Sequence, residues 1–263
     1  FWAAEYRLNA LIYHYPKPYV AFMQGFTMGG GVGISCHGSH RIVGETSQIS
    51  MPECGIGLIP DVGGSYILAS APGYLGEYLG LTAARMNAAD AIYAGFADHF
   101  VPQSNWNALI QTLEKTGNTA HITNATKLAP RSKLKAIQTQ IDHYFSNGTL
   151  AELISSLSSS DEALSKETLK MMSKNAPLSM ASTILLLRQL RNEGPDISRA
   201  LRYEYRFTAR SMEFGDFLEG VRAAVVDKDS CPNWQYNLTE VPERASQSML
   251  APLGAMELNV KEN

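Results

Sequence analysis

The chain has 263 residues, 45% of them hydrophobic and 18% charged, with a formal net charge of −3. That length carries a full core and that composition suits a soluble globular protein, while the mildly acidic balance, with a pI near 6.1, argues against a nucleic-acid partner. The longer apolar runs, 19–23 and 184–187, fall far short of a bilayer span, so no membrane partner is expected.

The first predicted element is a helix over 5–13, where Tyr6, Leu8, Leu11 and Ile12 recur at roughly helical spacing before Pro16 and Pro18. A short, β-rich buried strand follows over 19–24 and enters Gly25. Residues 28–40 are mostly small and apolar. They read as a helix whose glycines need tight packing or close ligand approach as their reason. Strands over 41–44 and 48–51 flank the polar turn Glu45-Thr46-Ser47, and this strand–helix–strand rhythm points to an α/β core.

Gly63-Gly64 opens a helix through Ala69, a Leu-rich helix spans 74–81, Asn87 caps a third over 88–93, and 97–101 is a short strand closed by Pro102. From Ser104 onward the character is all helix. Candidates cover 105–115, 132–146, 149–158, 161–174, 178–192, 197–213 and 216–226, with caps at Thr149, Asp161 and Asp196. Two regions result, a core portion over 1–102 and a helical C-terminal region over 103–263. The serine cluster 155–160 reads as a solvated loop. Cys36, Cys54 and Cys231 form no CxxC, which fits a reducing compartment and offers no zinc site, so no metal is expected. The sequons at Asn124, Asn147 and Asn237 are common by chance and read as unglycosylated.

Two stretches carry chemistry. Thr27-Met28-Gly29-Gly30-Gly31-Val32-Gly33 sits where a strand hands over to a helix, and free N–H groups at a helix start favour an anion. Close helix–sheet packing wants glycine too, and the run alone leaves both readings open. It is neither a G-x-G-x-x-G nor a P-loop. Glu53 follows a proline at a strand end, flanked by Met51, Cys54 and Ile56; such company should raise its pKa and poise it for proton transfer or nucleophilic attack. The plainer alternative is a loop Glu that pairs with an Arg or caps a helix. Asp61, eight residues on, precedes Val62-Gly63-Gly64 and in isolation reads as a helix N-cap. Co-occurrence shifts the weight, because glycine run, Glu53 and Asp61 share one α/β segment at strand ends and helix starts, where open α/β folds place active sites. Backbone donors with convergent carboxylates are what acyl transfer needs when no metal or serine triad is supplied, and a thioester is the expected substrate. Cys54 reads as a buried filler, since no His or Lys stands beside it to lower its pKa. Ser35 misses the G-x-S-x-G elbow by one residue, and His37 and His40 read as packing or surface histidines.

These residues resemble the crotonase (enoyl-CoA hydratase/isomerase) superfamily. The likeness runs from Pro18-Tyr19-Val20-Ala21 through Gly25, Gly29-Gly30-Gly31, Met51-Pro52-Glu53, Gly57 and Pro60-Asp61-Val62-Gly63-Gly64. It continues in Leu81-Thr82, Ala94-Gly95, His99-Phe100-Val101 and Glu204-Tyr205-Arg206, and ends in Asp216-Phe217-Leu218-Glu219-Gly220-Val221-Arg222-Ala223 with Asp227-Lys228-Asp229. Within the superfamily the chain looks most like the branch that hydrolyses 3-hydroxyisobutyryl-CoA. The resemblance implies an α/β fold with the β-β-α spiral core of the ClpP/crotonase type, incomplete at the N-terminus, followed by a helical C-terminal region. It implies Gly30 as the second oxyanion-hole donor, Glu53 as the catalytic carboxylate and Asp61 as a second acid. It adds Glu5 and Gly29 to the substrate-binding set formed with these three.

Two departures from the superfamily pattern matter. Hydratases carry a second Glu on the helix after the triple glycine, and the matching residue here is Gly33, so the acid–base pair for hydrating a double bond is incomplete. Asp61, where hydratases usually have a small residue, supports a hydrolase. The family's first oxyanion donor and much of its CoA-binding surface precede the position of Phe1, so the chain is expected to be the C-terminal two-thirds of such an enzyme and inactive alone. The implied activity is hydrolysis of a short 3-hydroxyacyl-CoA thioester, 3-hydroxyisobutyryl-CoA of valine catabolism. The acyl-CoA is the implied partner, no cofactor beyond the substrate's own CoA is implied, and a homo-oligomer is left open. The implied compartment is mitochondrial, with peroxisomal as the alternative. The rivals are a hydratase or isomerase using Glu53 alone, and a non-catalytic structural subunit of a larger assembly.

Overall fold

The computed structural model describes residues 1–260. Helix α1 (Trp2–Tyr13) leads into five short strands: β1 (Val20–Met23), β2 (Phe26–Met28), β3 (His40–Val43), β4 (Gln48–Ser50) and β5 (His99–Phe100). One parallel sheet has the order β1-β3-β5 and a second pairs β2 with β4, also in parallel. Each of the first two turns of the chain thus gives one strand to each sheet before it enters helix, the first by way of α2 (Gly30–Ser35). The step between sheets is set by chemistry at the corners. Gly25 takes φ +63°, and Ser47 Oγ both donates to Met23 O at 2.6 Å and accepts from Gly44 N at 2.9 Å. Stacking of the two corners is then fixed by Gln48 N donating to Gly25 O at 2.7 Å. This is the β-β-α spiral core that the resemblance implied.

The remaining helices are α3 (Gly64–Ser70), α4 (Leu75–Thr82), α5 (Ala88–Tyr93), α6 (Trp106–Thr116), α7 (Ala120–Ala125), α8 (Lys133–Ala136) and α9 (Gln138–Phe145). They continue through α10 (Leu150–Ser158), α11 (Ala163–Met172), α12 (Pro177–Glu193), α13 (Ile197–Phe214), α14 (Phe217–Val221) and α15 (Glu243–Leu250). Among the described residues no helix is long and apolar enough to cross a membrane.

Asn87, Thr149 and Asp196 cap as expected, Thr149 within a reciprocal box with Glu152. Asp161 does not. Glu162 stands at the cap position of α11 without a side-chain bond, and Asp161 pairs with Lys166 at 3.0 Å. The single helix expected over 28–40 is a strand followed by six helical residues, because Thr27 and Met28 pair with Ile49 and Ser50. It stops before Gly38, where a Cβ would lie 2.6 Å from the Tyr19 ring. The segment 132–146 breaks at Ile137, with φ −109°, into α8 and α9. The segment 216–226 is α14 followed by a π-helical turn over Arg222–Val226. Serines 155, 156 and 158 are not loop but the outer side of α10, whose Leu153, Ile154 and Leu157 are buried. Helices α7 and α15 were not legible; α7 buries a single apolar residue, Ile122, and so offers no period to read.

The main core is continuous from Tyr6 to Leu258 and includes Met51, Leu68, Leu79, Phe96, Leu187 and Phe207, while a smaller cluster surrounds Ile42, Val101 and Trp106. The helices from α8 onward therefore share the core of the α/β portion, α6 and α7 line the smaller cluster, and α13 reaches the start of α3. The apolar face of α1 differs from the expected one. Tyr6, Asn9, Ala10 and Ile12 are buried, whereas Leu8 and Leu11 are 45% and 46% exposed. The helix turns its polar residues inward.

Candidate active site

Gly29 ends the link from β2 and is the N-cap of α2, with φ +52°, a conformation that favours glycine. The first backbone amide of α2 to find a backbone acceptor is that of Val32, which donates to Gly29 O at 2.8 Å. The amides of Gly30 and Gly31 thus lie at the open, donor-rich end of the helix. Carboxylates crowd this end. A Cβ on Gly29 would be 3.2 Å from Glu53 Oε1, and one on Gly30 would be 3.2 Å from Glu5 Oε1. The glycine run, Glu5 and Glu53 are one site.

Glu53 does not end a strand; it opens a 3-10 turn, Glu53–Ile56, separated from β4 by Met51 and Pro52. The turn is tied into the helical region by Ala176 N donating to Cys54 O at 2.8 Å. Glu53 is 5% exposed, and neither carboxylate oxygen has a hydrogen-bond partner among the described residues. Burial, and then the nearby charge of Asp61, hold its pKa well above the usual carboxylate range. Cys54 beside it is fully buried against Thr183, and burial pushes its thiol up to about 12. It is the inert filler that the sequence implied.

Asp61 is also buried, and Tyr6 Oη donates to its Oδ2 at 2.7 Å. Burial raises its pKa; the Tyr6 bond opposes the shift and the charge of Glu5 adds to it. Partial burial raises Glu5 as well. Burial thus favours the neutral form of all three carboxyls, and the charge on one raises the proton affinity of its neighbour.

Asp61 is not the cap of α3. That position belongs to Gly63, at φ +78°, and the capping carboxylate is Glu204 of α13, which accepts from Gly63 N at 2.8 Å, Ser65 N at 3.1 Å and Ser65 Oγ. Burial pushes Glu204 up to about 8 against these hydrogen bonds. Between Asp61 and Gly63, Val62 sits at φ +54°, a strained setting for a β-branched residue. His37 Nε2 donates to Val62 O at 2.7 Å, and burial lowers the imidazole to about 4, so it is a neutral latch. The expectation of a packing histidine holds for His37, with the Asp61 loop as what it secures.

The structure therefore brings together Glu5, Gly29, Gly30, Glu53 and Asp61, all five residues singled out from the sequence. Sequence reasoning missed Tyr6, Asn9 and Glu204 as site residues. Glu5, Tyr6 and Asn9 do lie at i, i+1 and i+4, one face of a helix, and that spacing is the signal that could have found the first two. Gly33 is closed to any larger residue, because a Cβ there would come within 2.6 Å of Asn9 Nδ2 and 2.8 Å of Val62 Cβ.

Parallel two-sheet spiral turns that end in a glycine-led helix start define a crotonase-fold protein. The chain belongs to the enoyl-CoA hydratase/isomerase family, whose model matches residues 1–250. It is similar to mitochondrial 3-hydroxyisobutyryl-CoA hydrolase of Mus musculus, 37% identical over 267 residues, covering 97% of this chain and 69% of that protein. The Homo sapiens protein of the same name is 36% identical over 271 residues, covering 98% and 69%. Among solved structures, an enoyl-CoA hydratase from Rhodobacter sphaeroides is 50% identical with a TM-score of 0.93, covering 98% of this chain and 75% of that one. A carnitinyl-CoA dehydratase from Mycobacterium thermoresistibile is 37% identical with a TM-score of 0.92, covering 100% and 76%.

Proposed function

We propose that the protein hydrolyses a short 3-hydroxyacyl-CoA thioester, 3-hydroxyisobutyryl-CoA of valine catabolism, to the free acid and CoA. The observation that carries this reading is the buried Glu53–Asp61 pair beside the glycine run, with Gly33 sterically closed to the second glutamate of a hydratase. Support comes from the mouse and human relatives, whose names state that substrate. Gly30 N–H receives the thioester oxygen as it becomes an oxyanion; one such donor typically contributes a factor of about 10²–10³ in kcat. Glu53, its proton affinity raised by burial, takes a proton from water or attacks the carbonyl carbon itself. Asp61 protonates the departing thiolate or orients the water, its proton affinity also raised by burial. Glu5 contacts the substrate at the Gly30 end. No cofactor is needed beyond the CoA that the substrate carries. The mitochondrial placement follows the relatives' names, and nothing in those names supports a peroxisomal one.

Hydration is the second reading, favoured by the name of the Rhodobacter sphaeroides structure at 50% identity. The deciding experiment follows free thiol and enoyl absorbance in parallel, with full-length protein on 3-hydroxyisobutyryl-CoA and on crotonyl-CoA. Thiol release from the first with the second left intact is expected. Rapid loss of the enoyl signal without thiol release refutes the hydrolase reading.

A further inference from the structure

Beside the carboxylates of the site, against Gly33, stands the buried side chain of Asn9. It is 0% exposed, and neither Nδ2 nor Oδ1 has a hydrogen-bond partner among the described residues. A buried carboxamide left this way is costly, so it persists where something else is to be bound. It lies one helical turn after Glu5 and three residues after Tyr6, on the α1 face that already supplies a carboxylate to Gly30 and a hydroxyl to Asp61. Its Nδ2 fills the notch at Gly33, one turn along α2 from Gly29, and the other wall of that notch is Val62, the neighbour of Asp61. Four unpartnered polar atoms, two of Asn9 and two of Glu53, flank the same glycine-led turn.

We infer that Asn9 is a positioning residue: its carboxamide binds and orients the water that the Glu53–Asp61 pair directs at the thioester. This deepens the hydrolase reading and rests on it. A carboxamide offers a donor and an acceptor but at neutral pH neither takes nor gives a proton, so it fixes the water's orientation without supplying the second acid–base group that alkene hydration needs.

Two variants of the full-length protein test the assignment. Asn9→Leu keeps the volume and removes both polar atoms. Its kcat for thiol release should fall by about 10²-fold, the scale of a misplaced reactant, with KM little changed. Its melting temperature should change little, because the buried volume is kept. Asn9→Asp, set among Glu5, Glu53 and Asp61, is neutral and isosteric with the amide only while protonated. Its activity relative to wild type should be greatest at acid pH and decline as pH rises. Wild-type kcat in Asn9→Leu overturns the proposal, as does a wild-type pH profile in Asn9→Asp should the Leu variant fail to fold. Failure of the hydrolase reading looks different: wild-type protein would then hydrate crotonyl-CoA and release no thiol. Asn9 would in that case be judged by the same two variants on the hydration rate.

Discussion

Replacing Tyr6 with Phe removes one hydrogen bond from the site and little else. The Tyr6 ring is fully buried and packs edge-on against Tyr205 with centroids 6.4 Å apart, so a phenyl ring retains the packing. What goes is the 2.7 Å bond from Tyr6 Oη to Asp61 Oδ2. A hydrogen bond to a charged acceptor contributes about 1.5–3 kcal/mol. At 1.36 kcal/mol per unit, its loss raises the proton affinity of Asp61 by about one to two pKa units. The bond favours the ionised carboxylate, so its stabilisation is present where Asp61 is charged and is lost as pH falls through the folded-state pKa. Tyr6→Phe should therefore melt about 3–12 °C below wild type at alkaline pH, with the gap closing toward acid. In thiol-release assays from acid to alkaline pH, the limb of kcat that reports Asp61 should move up by about one to two units. A variant with the wild-type pH profile would show that Asp61 is not the group titrating in catalysis. An unchanged profile together with an unchanged melting curve would remove the Tyr6–Asp61 bond from the argument.

Three further outcomes are expected. Glu53→Gln should abolish thiol release yet melt higher than wild type, and the gap should widen with rising pH. The raised pKa of Glu53 means that its contribution to stability is lost as pH climbs through it, which a scan of melting temperature against pH will read. Gly33→Ala should cost about 1–3 kcal/mol in a denaturant titration through overpacking against Asn9 and Val62, and Gly33→Glu should gain no crotonyl-CoA hydration. Glu204→Ala leaves the buried amides of Gly63 and Ser65 unpaired, at about 1–3 kcal/mol each. Because Glu204 itself is raised to about 8, the deficit should be largest at acid pH and shrink as pH rises from the ordinary carboxylate range toward that value.

What the sequence disclosed is what stood together in one short segment, where each feature alone had a plainer explanation. Three consecutive glycines at a strand-to-helix junction, and two carboxylates in a run otherwise apolar, are costly unless a fold needs them, and all of them lie in the site. The residues that stayed hidden are those whose role is created by tertiary contact. Glu204 sits in an amphipathic helix with other charged residues, and nothing local separates the one carboxylate that turns inward. Asn9 and Tyr6 were obscured because α1 exposes two leucines that a hydrophobic pattern assigns to the core. Strand β2 has three residues, too few for alternation to register, and its existence depends on β4 lying alongside. Asp61 shows the converse. Its local context spelled a helix cap, but a capping group arrived from another helix and left Asp61 free for the site.

That distant cap also sets an order of events during synthesis. The bond from Gly63 to Glu204 closes 141 residues of chain, so it cannot form until α13 has been made. Until α13 has left the ribosome and docked, the turn through Val62 lacks its Glu204 restraint and relies on His37 and on the Tyr6–Asp61 bond. Glycines, Glu53 and Asp61 all precede α13 in the chain. The nascent chain thus carries these side chains before the Glu204 restraint on the Asp61 loop can form.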